Sequence, residues 1–133
     1  MAGRWLAGSI CTALLLLSPA MAAEPLVPVE IGGTVEWDAC GAFGEVFGLA
    51  ADNIDILPVR TAPAGDAAEI DRLAEGDGVF MCDERGEWLG IVYYPPGELQ
   101  SCGVGSVMVD RVAYSGPCRS GWVPAHLIAL VAG

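Results

Sequence analysis

Short runs of apolar residues, broken by turn formers every few positions, fill most of this chain. Glu69-Ile70-Asp71-Arg72-Leu73 alternates polar and apolar residues, the period of a half-buried strand. A helical turn across Ala67–Glu75 is the weaker alternative, because alanine and glutamate favour helix. Val79–Cys82 reads as a short buried strand, and Trp88–Tyr94 is the strongest strand on composition. Between them Asp83–Glu87 reads as a polar hairpin loop, with Gly86 where a positive φ is wanted. Gly41–Leu49 suggests a strand with a bend that ends in a turn at Ala50–Asn53. Ile54–Arg60 suggests a strand on an edge or with a bulge, since Pro58 cannot donate to a ladder. Near the carboxyl end, Gly121-Trp122-Val123 opens a strand, Pro124–Leu127 makes one tight turn, and Ile128–Val131 closes the sheet. Pro95-Pro96-Gly97 stops the strand before it, and Glu98–Pro117 is a long connection with room for an extra strand at Val107–Val109. Many short strands with frequent turn signals predict an all-β barrel or sandwich.

The amino terminus departs from this pattern. Met1–Arg4 is positive, Leu6–Leu17 is apolar, and Ser18–Ala22 ends in a small-x-small pattern. That order predicts a secretory signal peptide over residues 1–22, cleaved after Ala22. The apolar run falls short of the ~20 residues that a spanning helix needs, so no stable membrane insertion is expected after cleavage. Residues 23–38, with Pro25, Pro28 and Gly32-Gly33, read as a partly ordered linker whose Val35 and Trp37 dock on the domain or lie along it. The compact domain then covers residues 39–133. Export predicts a periplasmic or secreted protein.

Without the leader the chain holds five arginines, no lysine and seventeen acids, a charge of −12. Such a chain repels phosphate backbones and anionic membrane surfaces, so nucleic acid is not an expected partner. Cysteine usage agrees with export. Cys11 leaves with the leader, and Cys40, Cys82, Cys102 and Cys118 remain. Three pairings are open to four cysteines. Cys102 with Cys118 is favoured because it brackets the long connection, and Cys40 with Cys82 because it ties the start of the domain to a middle strand. No Cys-x-x-Cys spacing is present, so neither a metal nor another cofactor is expected.

The order of elements resembles a bacterial SH3-like domain, in the small exported form that carries extra cysteines. The residues that carry the likeness are Leu57-Pro58-Val59-Arg60-Thr61-Ala62-Pro63, Ile70 and Leu73 before Gly76, Val79 with Trp88 and Val92, and Gly121-Trp122-Val123 with Leu127. The resemblance covers Ile54–Val131, interrupted at residues 95–117. It implies a small SH3-like barrel with an extra amino-terminal strand and a long disulfide-closed loop. It also implies a binding role in the cell envelope. The tyrosine-rich motif of a polyproline pocket is absent, since Asp55-Ile56-Leu57 stands there.

Candidate chemistry points the same way. His126 is the only histidine, and the disulfide reading leaves no thiolate to act beside it. Asp83, Glu84 and Glu87 cluster, as some acids must in so acidic a chain, and a solvated turn explains them. The aromatics are more informative. Tyr93, Tyr94, Tyr114 and Trp122 lie on or beside strands that flank an open groove, and exposed tyrosine or tryptophan anchors peptides and sugars well. The reading is therefore a non-enzymatic module that contacts an envelope protein, a peptide or peptidoglycan. The alternatives are a small cell-wall hydrolase using a thiol or carboxylate, and a structural or inhibitor protein without a small-molecule site. Trp122 decides where the site lies. If one face is exposed beside a tyrosine, Gly116–Leu130 forms half of the site. If it is buried, the site falls to the loop that Cys118 closes.

Overall fold

The computed structural model describes residues 24–95 and 101–133, with residues 3, 8, 9 and 11–13 near the amino terminus. The expected cleavage site at Ala22 and the Pro96-Gly97 part of the strand stop lie outside the described residues. Among the described residues there is no α-helix, and no helix is long and apolar enough to cross a membrane.

Eleven strands form: β1 (Glu30–Ile31), β2 (Thr34–Asp38), β3 (Ala42–Val46), β4 (Leu57–Arg60), β5 (Glu69–Leu73), β6 (Gly78–Arg85), β7 (Trp88–Tyr93), β8 (Val107–Met108), β9 (Val112–Ala113), β10 (Arg119–Pro124) and β11 (Ile128–Ala132). Single 3₁₀ turns lie at Ala50–Asp52 and Ala125–Leu127. Seven strands form one antiparallel sheet in the order β11-β3-β6-β7-β10-β4-β5. The expected half-buried strand at Glu69–Leu73 is β5, and the tight turn at Pro124–Leu127 is the second 3₁₀ turn.

The sheet curls round one aliphatic core. Leu73 on β5 and Ile128 on β11 belong to the same buried cluster as Leu57, Val59, Val79 and Ile91, although they come from opposite ends of the sheet. The ends do not hydrogen-bond to each other, so the sheet is not a closed barrel. The seam is filled by the turn between β5 and β6. Gly76 N–H donates to Val46 O at 2.8 Å, and Val46 N–H donates to Asp77 O at 2.9 Å. Glu75 reinforces this turn, accepting from the Gly48 and Leu49 N–H groups at 2.9 and 3.1 Å. Pro58 causes less disruption than the sequence suggests. The ladder from β10 reaches β4 only at Trp122↔Arg60, so Pro58 lies beyond it, and the β4–β5 bulge falls after Val59.

A second layer covers the outer face of β6, β7 and β10. The stretch read as a linker supplies half of it. β1 pairs with β9 and β2 with β8, so residues 24–38 and the long connection are one structure. Backbone bonds extend the seam: Val27 N–H donates to Thr61 O, Tyr114 N–H to Val29 O, and Cys40 N–H to Val104 O. The outer core contains Ile31, Ala39, Val92 and Val104 with three half-cystines, Cys40, Cys102 and Cys118. The disulfides are Cys40–Cys82 and Cys102–Cys118, the pairing that the sequence favours. Paired glycines make the turn between β1 and β2 possible. Gly32 and Gly33 both have positive φ, and a Cβ on Gly32 would collide with the Asp110 carbonyl.

The expected hairpin forms with Gly86 at positive φ and residues 84–87 exposed, but the loop is shorter than expected and Asp83 is not solvated. β6 runs to Arg85, leaving only Gly86-Glu87 between the strands. A bulge between Met81 and Asp83 shifts the register by one residue, which exchanges the faces of the residues that follow. Asp83 and Arg85 thereby turn to the outer face. Asp83 is buried, accepting from Glu30 N–H at 3.1 Å and from Arg111 Nη2 at 2.8 Å. Arg111 Nε also donates to Glu30 Oε2 at 2.7 Å. This cluster joins β1, β6 and the loop before β9 through one carboxylate.

Candidate functional site

Trp122 is fully buried, so the first of the two placements fails. Val123 points into the inner core and Trp122 into the outer layer, as period-2 alternation requires. There the indole meets Gly90 of β7, its register partner, whose added Cβ would sit 3.2 Å from the ring. The indole N–H donates to Val27 O at 2.7 Å, and the Arg85 guanidinium lies 5.5 Å over the ring. The stretch expected to be a linker is what covers Trp122. Sequence reading missed this because Val27 and Trp122 lie 95 residues apart.

Tyr94 is not an exposed anchor either. Tyr93 and Tyr94 face opposite sides as alternation predicts, but each meets a core. Tyr93 joins the inner cluster, while Tyr94 is half-buried against the outer one, with its ring 5.9 Å edge-on from Phe80. Tyr114, also half-buried, is held inside the disulfide-closed loop. Its hydroxyl donates to Cys102 O at 2.8 Å and accepts from Cys118 N–H at 3.1 Å. Burial raises the Tyr114 pKa, and the Cys118 N–H partly offsets this.

Tyr93 and Tyr114 do come together. Both line a cleft of about 520 Å³, walled by Pro25 and Pro28, by Ile70 and Asp71 of β5, by Ser115, Gly116 and Cys118 of the closed loop, and by Arg119 and Ser120 of β10. One hydrogen-bonded trio forms its polar wall. Tyr93 Oη donates to Asp71 Oδ2 at 2.9 Å, and Arg119 Nη1 donates to the same oxygen at 3.0 Å. The Arg72 N–H donates to Asp71 Oδ1 at 2.8 Å. Burial by itself raises the Asp71 pKa, but the Arg72 N–H, the Arg119 guanidinium and the Tyr93 hydroxyl together outweigh it and hold the carboxyl below its usual value. Burial pushes the Tyr93 hydroxyl strongly upward, and the Asp71 charge adds to that, so the proton stays on the phenol. The wall is therefore a fixed carboxylate–guanidinium pair that can offer both a donor and an acceptor to a guest. The floor, of Ile70 and proline rings, is apolar.

Asp71 and Arg119 were not candidates on sequence. Arg119 adjoins Cys118, but nothing local marks Asp71, which reaches it across 48 positions. The remaining candidates lie elsewhere. His126 Nε2 is 2.8 Å from Asp52 Oδ2 on the surface, bridging the two 3₁₀ turns. Cys40, Cys82, Cys102 and Cys118 are bonded in pairs, and the side chain that His126 meets is the Asp52 carboxylate, not a thiol. Asp83 is buried in its charge cluster, whereas its neighbour Glu84 is exposed. No group of three or more His, Cys, Asp or Glu among the described residues could hold a metal ion.

No known protein family, curated protein or solved structure matches the chain.

Proposed function

We propose that the protein is an exported, non-enzymatic binding module that takes a peptide or glycan-linked peptide of the cell envelope into the cleft beside Tyr114. One observation carries this reading. The Asp71–Arg119–Tyr93 trio stands beside an apolar floor in a cleft assembled from four distant segments. An extended chain with an amide backbone matches that pairing of donor, acceptor and apolar surface. Export is supported by the leader pattern and by two disulfides, which are consistent with a periplasmic or extracellular protein.

We further infer an elaborated SH3-like domain. The Leu57–Arg60 strand, the curled antiparallel sheet, and the 3₁₀ turn between Gly121-Trp122-Val123 and the last strand support it. In this reading the amino-terminal strands and the loop before β10 are additions to the small domain.

The test is retention of the oxidised protein on purified sacculi and on immobilised envelope peptides. Two variants accompany it. Arg119→Ala removes the exposed guanidinium, and Ala113→Trp fills the cleft from an exposed position. Both should lose retention while keeping the wild-type near-ultraviolet circular dichroism. Retention of both variants at the wild-type level would sink the cleft as the binding site.

A further inference from the structure

β2 carries a feature that the cleft does not use. Thr34 pairs with Met108 and Asp38 with Val107, so residues 35–37 have no partner between neighbouring positions of β8. Val35, Glu36 and Trp37 bow out of the ladder as an enlarged bulge, a device that re-aims side chains. The bulge is tied at its start, where Glu36 N–H donates to Thr34 Oγ1 at 3.1 Å. It holds Trp37 at 58% exposure, the most exposed aromatic alongside Phe47 among the described residues.

Trp37 is nonetheless supported. Gly41 lies under it, and a Cβ there would touch the indole Cδ1 at 3.4 Å. With one part of the ring seated on Gly41, Trp37 lines a hollow of about 340 Å³ together with Met81, Glu84 and Arg111. Arg111 is already bound to Asp83 and Glu30. Glu84 is different: it is exposed, and its carboxylate has no hydrogen bond or ion pair among the described residues.

Trp37 and Glu84 bring an indole and an unengaged carboxylate to one hollow, and these are the two groups that hold an organic cation. The ring quadrupole attracts it, and the carboxylate accepts its N–H donors. The surroundings favour a positive guest. Glu36 and Asp38 flank Trp37 and are exposed, and after residue 22 the chain has seventeen acids against five arginines. Val35, Val107 and Val109 are exposed on the same ribbon, so aliphatic contact lies beside the charge. We propose that Trp37 and Glu84 form a receptor for a lysine or arginine side chain carried on a basic segment of a partner protein. This site is separate from the cleft and does not depend on its assignment.

The experiment is an NMR titration of the isotope-labelled protein, both disulfides formed, with an end-blocked tri-lysine peptide. A neutral chitin oligosaccharide serves as the competing guest. The Trp37 indole N–H signal, identified by its loss in Trp37→Phe, should shift with the peptide. The Trp122 signal, sealed by its bond to Val27 O, should not. Trp37→Ala and Glu84→Gln should each weaken the peptide by about 3–10-fold. Glu69→Gln, on β5, should leave its affinity unchanged and so separates a site from general attraction. The proposal is overturned if the oligosaccharide shifts Trp37 and the peptide does not, if neither does, or if Glu69→Gln weakens the peptide as much as Glu84→Gln.

Discussion

The inner face of the sheet packs Leu57, Val59, Val79, Ile91 and Val123 with no cross-link, whereas the outer face needs two disulfides and a buried carboxylate to hold a smaller cluster in place. The difference follows from where each core gets its walls. Except for Leu49 and Leu127, the inner residues come from regular strands whose ladders fix them, and aliphatic burial at about 25 cal/mol per Å² then suffices. Outer residues come from two-residue strands and turns with few ladder bonds. Such segments lose much entropy on ordering. Cross-links lower that cost by restricting the unfolded chain. A domain of this size has stability of only about 5–15 kcal/mol, so both contributions matter.

Removing the cross-links should have the largest effect. Replacing all four domain cysteines by alanine removes loops of 42 and 16 residues, each contributing about 3–4 kcal/mol in the chain-entropy account. Hydrogen exchange should show β1, β2, β8 and β9 losing protection while β6 and β7 keep more of theirs. Simultaneous loss from both groups would make the two faces one cooperative unit and break the comparison.

Leu57→Ala strikes the inner face alone. Deleting a fully buried leucine should cost about 2–5 kcal/mol, read by urea denaturation with the disulfides intact. An effect under about 1 kcal/mol, the range of a volume-conserving swap, would show that the inner core can collapse round the gap.

Asp83→Asn tests the charge cluster. It keeps the shape but removes the charge that binds Arg111, and should cost about 1.5–3 kcal/mol, the worth of hydrogen bonds to charged groups. Trp122 fluorescence should report the loosening, because Asp83 and Val29 both border Gly90 beside it.

The cleft wall predicts two pH effects of opposite sign. Asp71 is held below its ordinary 3.8, so its contribution is full above that pH and is lost as pH falls through the lower folded value. Asp71→Asn should flatten stability in that acid window. Tyr93 is raised above its ordinary 10.0, so its contribution is full below that pH and is lost as pH rises beyond it. Tyr93→Phe should remove the alkaline loss and cost about 0.5–1.5 kcal/mol at neutral pH.

The smallest effect belongs to Thr61. Its buried Oγ1 has no hydrogen-bond partner among the described residues. Thr61→Val keeps the shape and removes an unsatisfied hydroxyl, so melting should show no loss and up to about 1 kcal/mol of gain. A clear loss would mean that the hydroxyl has a role in seating Val27, whose N–H donates to the Thr61 carbonyl.

What could be read from the chain is what local chemistry decides. The alternation in Glu69–Leu73, the density of β-branched and aromatic residues in Trp88–Tyr94, and the Pro-led turn after Trp122 each mark their own element within a few positions. The spacing of the cysteines round one long connection also pointed to the pairing. The candidate site was less legible. Tyr93 and Tyr114 were named, but for exposure that neither has, and Asp71 and Arg119 carry no local mark. For residues 24–38 an added strand was expected, but not the pairing of β1 with β9 and β2 with β8, for the same reason. Prolines and paired glycines signal irregular backbone, but not whether a distant segment will pair with it.

The sequence alone determined that the chain is β-rich, acidic, and supplied with cysteines spaced to close two disulfides, because composition, period and cysteine spacing are properties of neighbouring residues. Tertiary structure alone decided which face each strand presents. A single bulge at Cys82 turned Asp83 to the outer face, and strand pairing over some 80 positions laid β1 on β9, while the Val27 carbonyl sealed Trp122. Such choices depend on register between distant segments, where a shift of one residue exchanges the two sides of a strand.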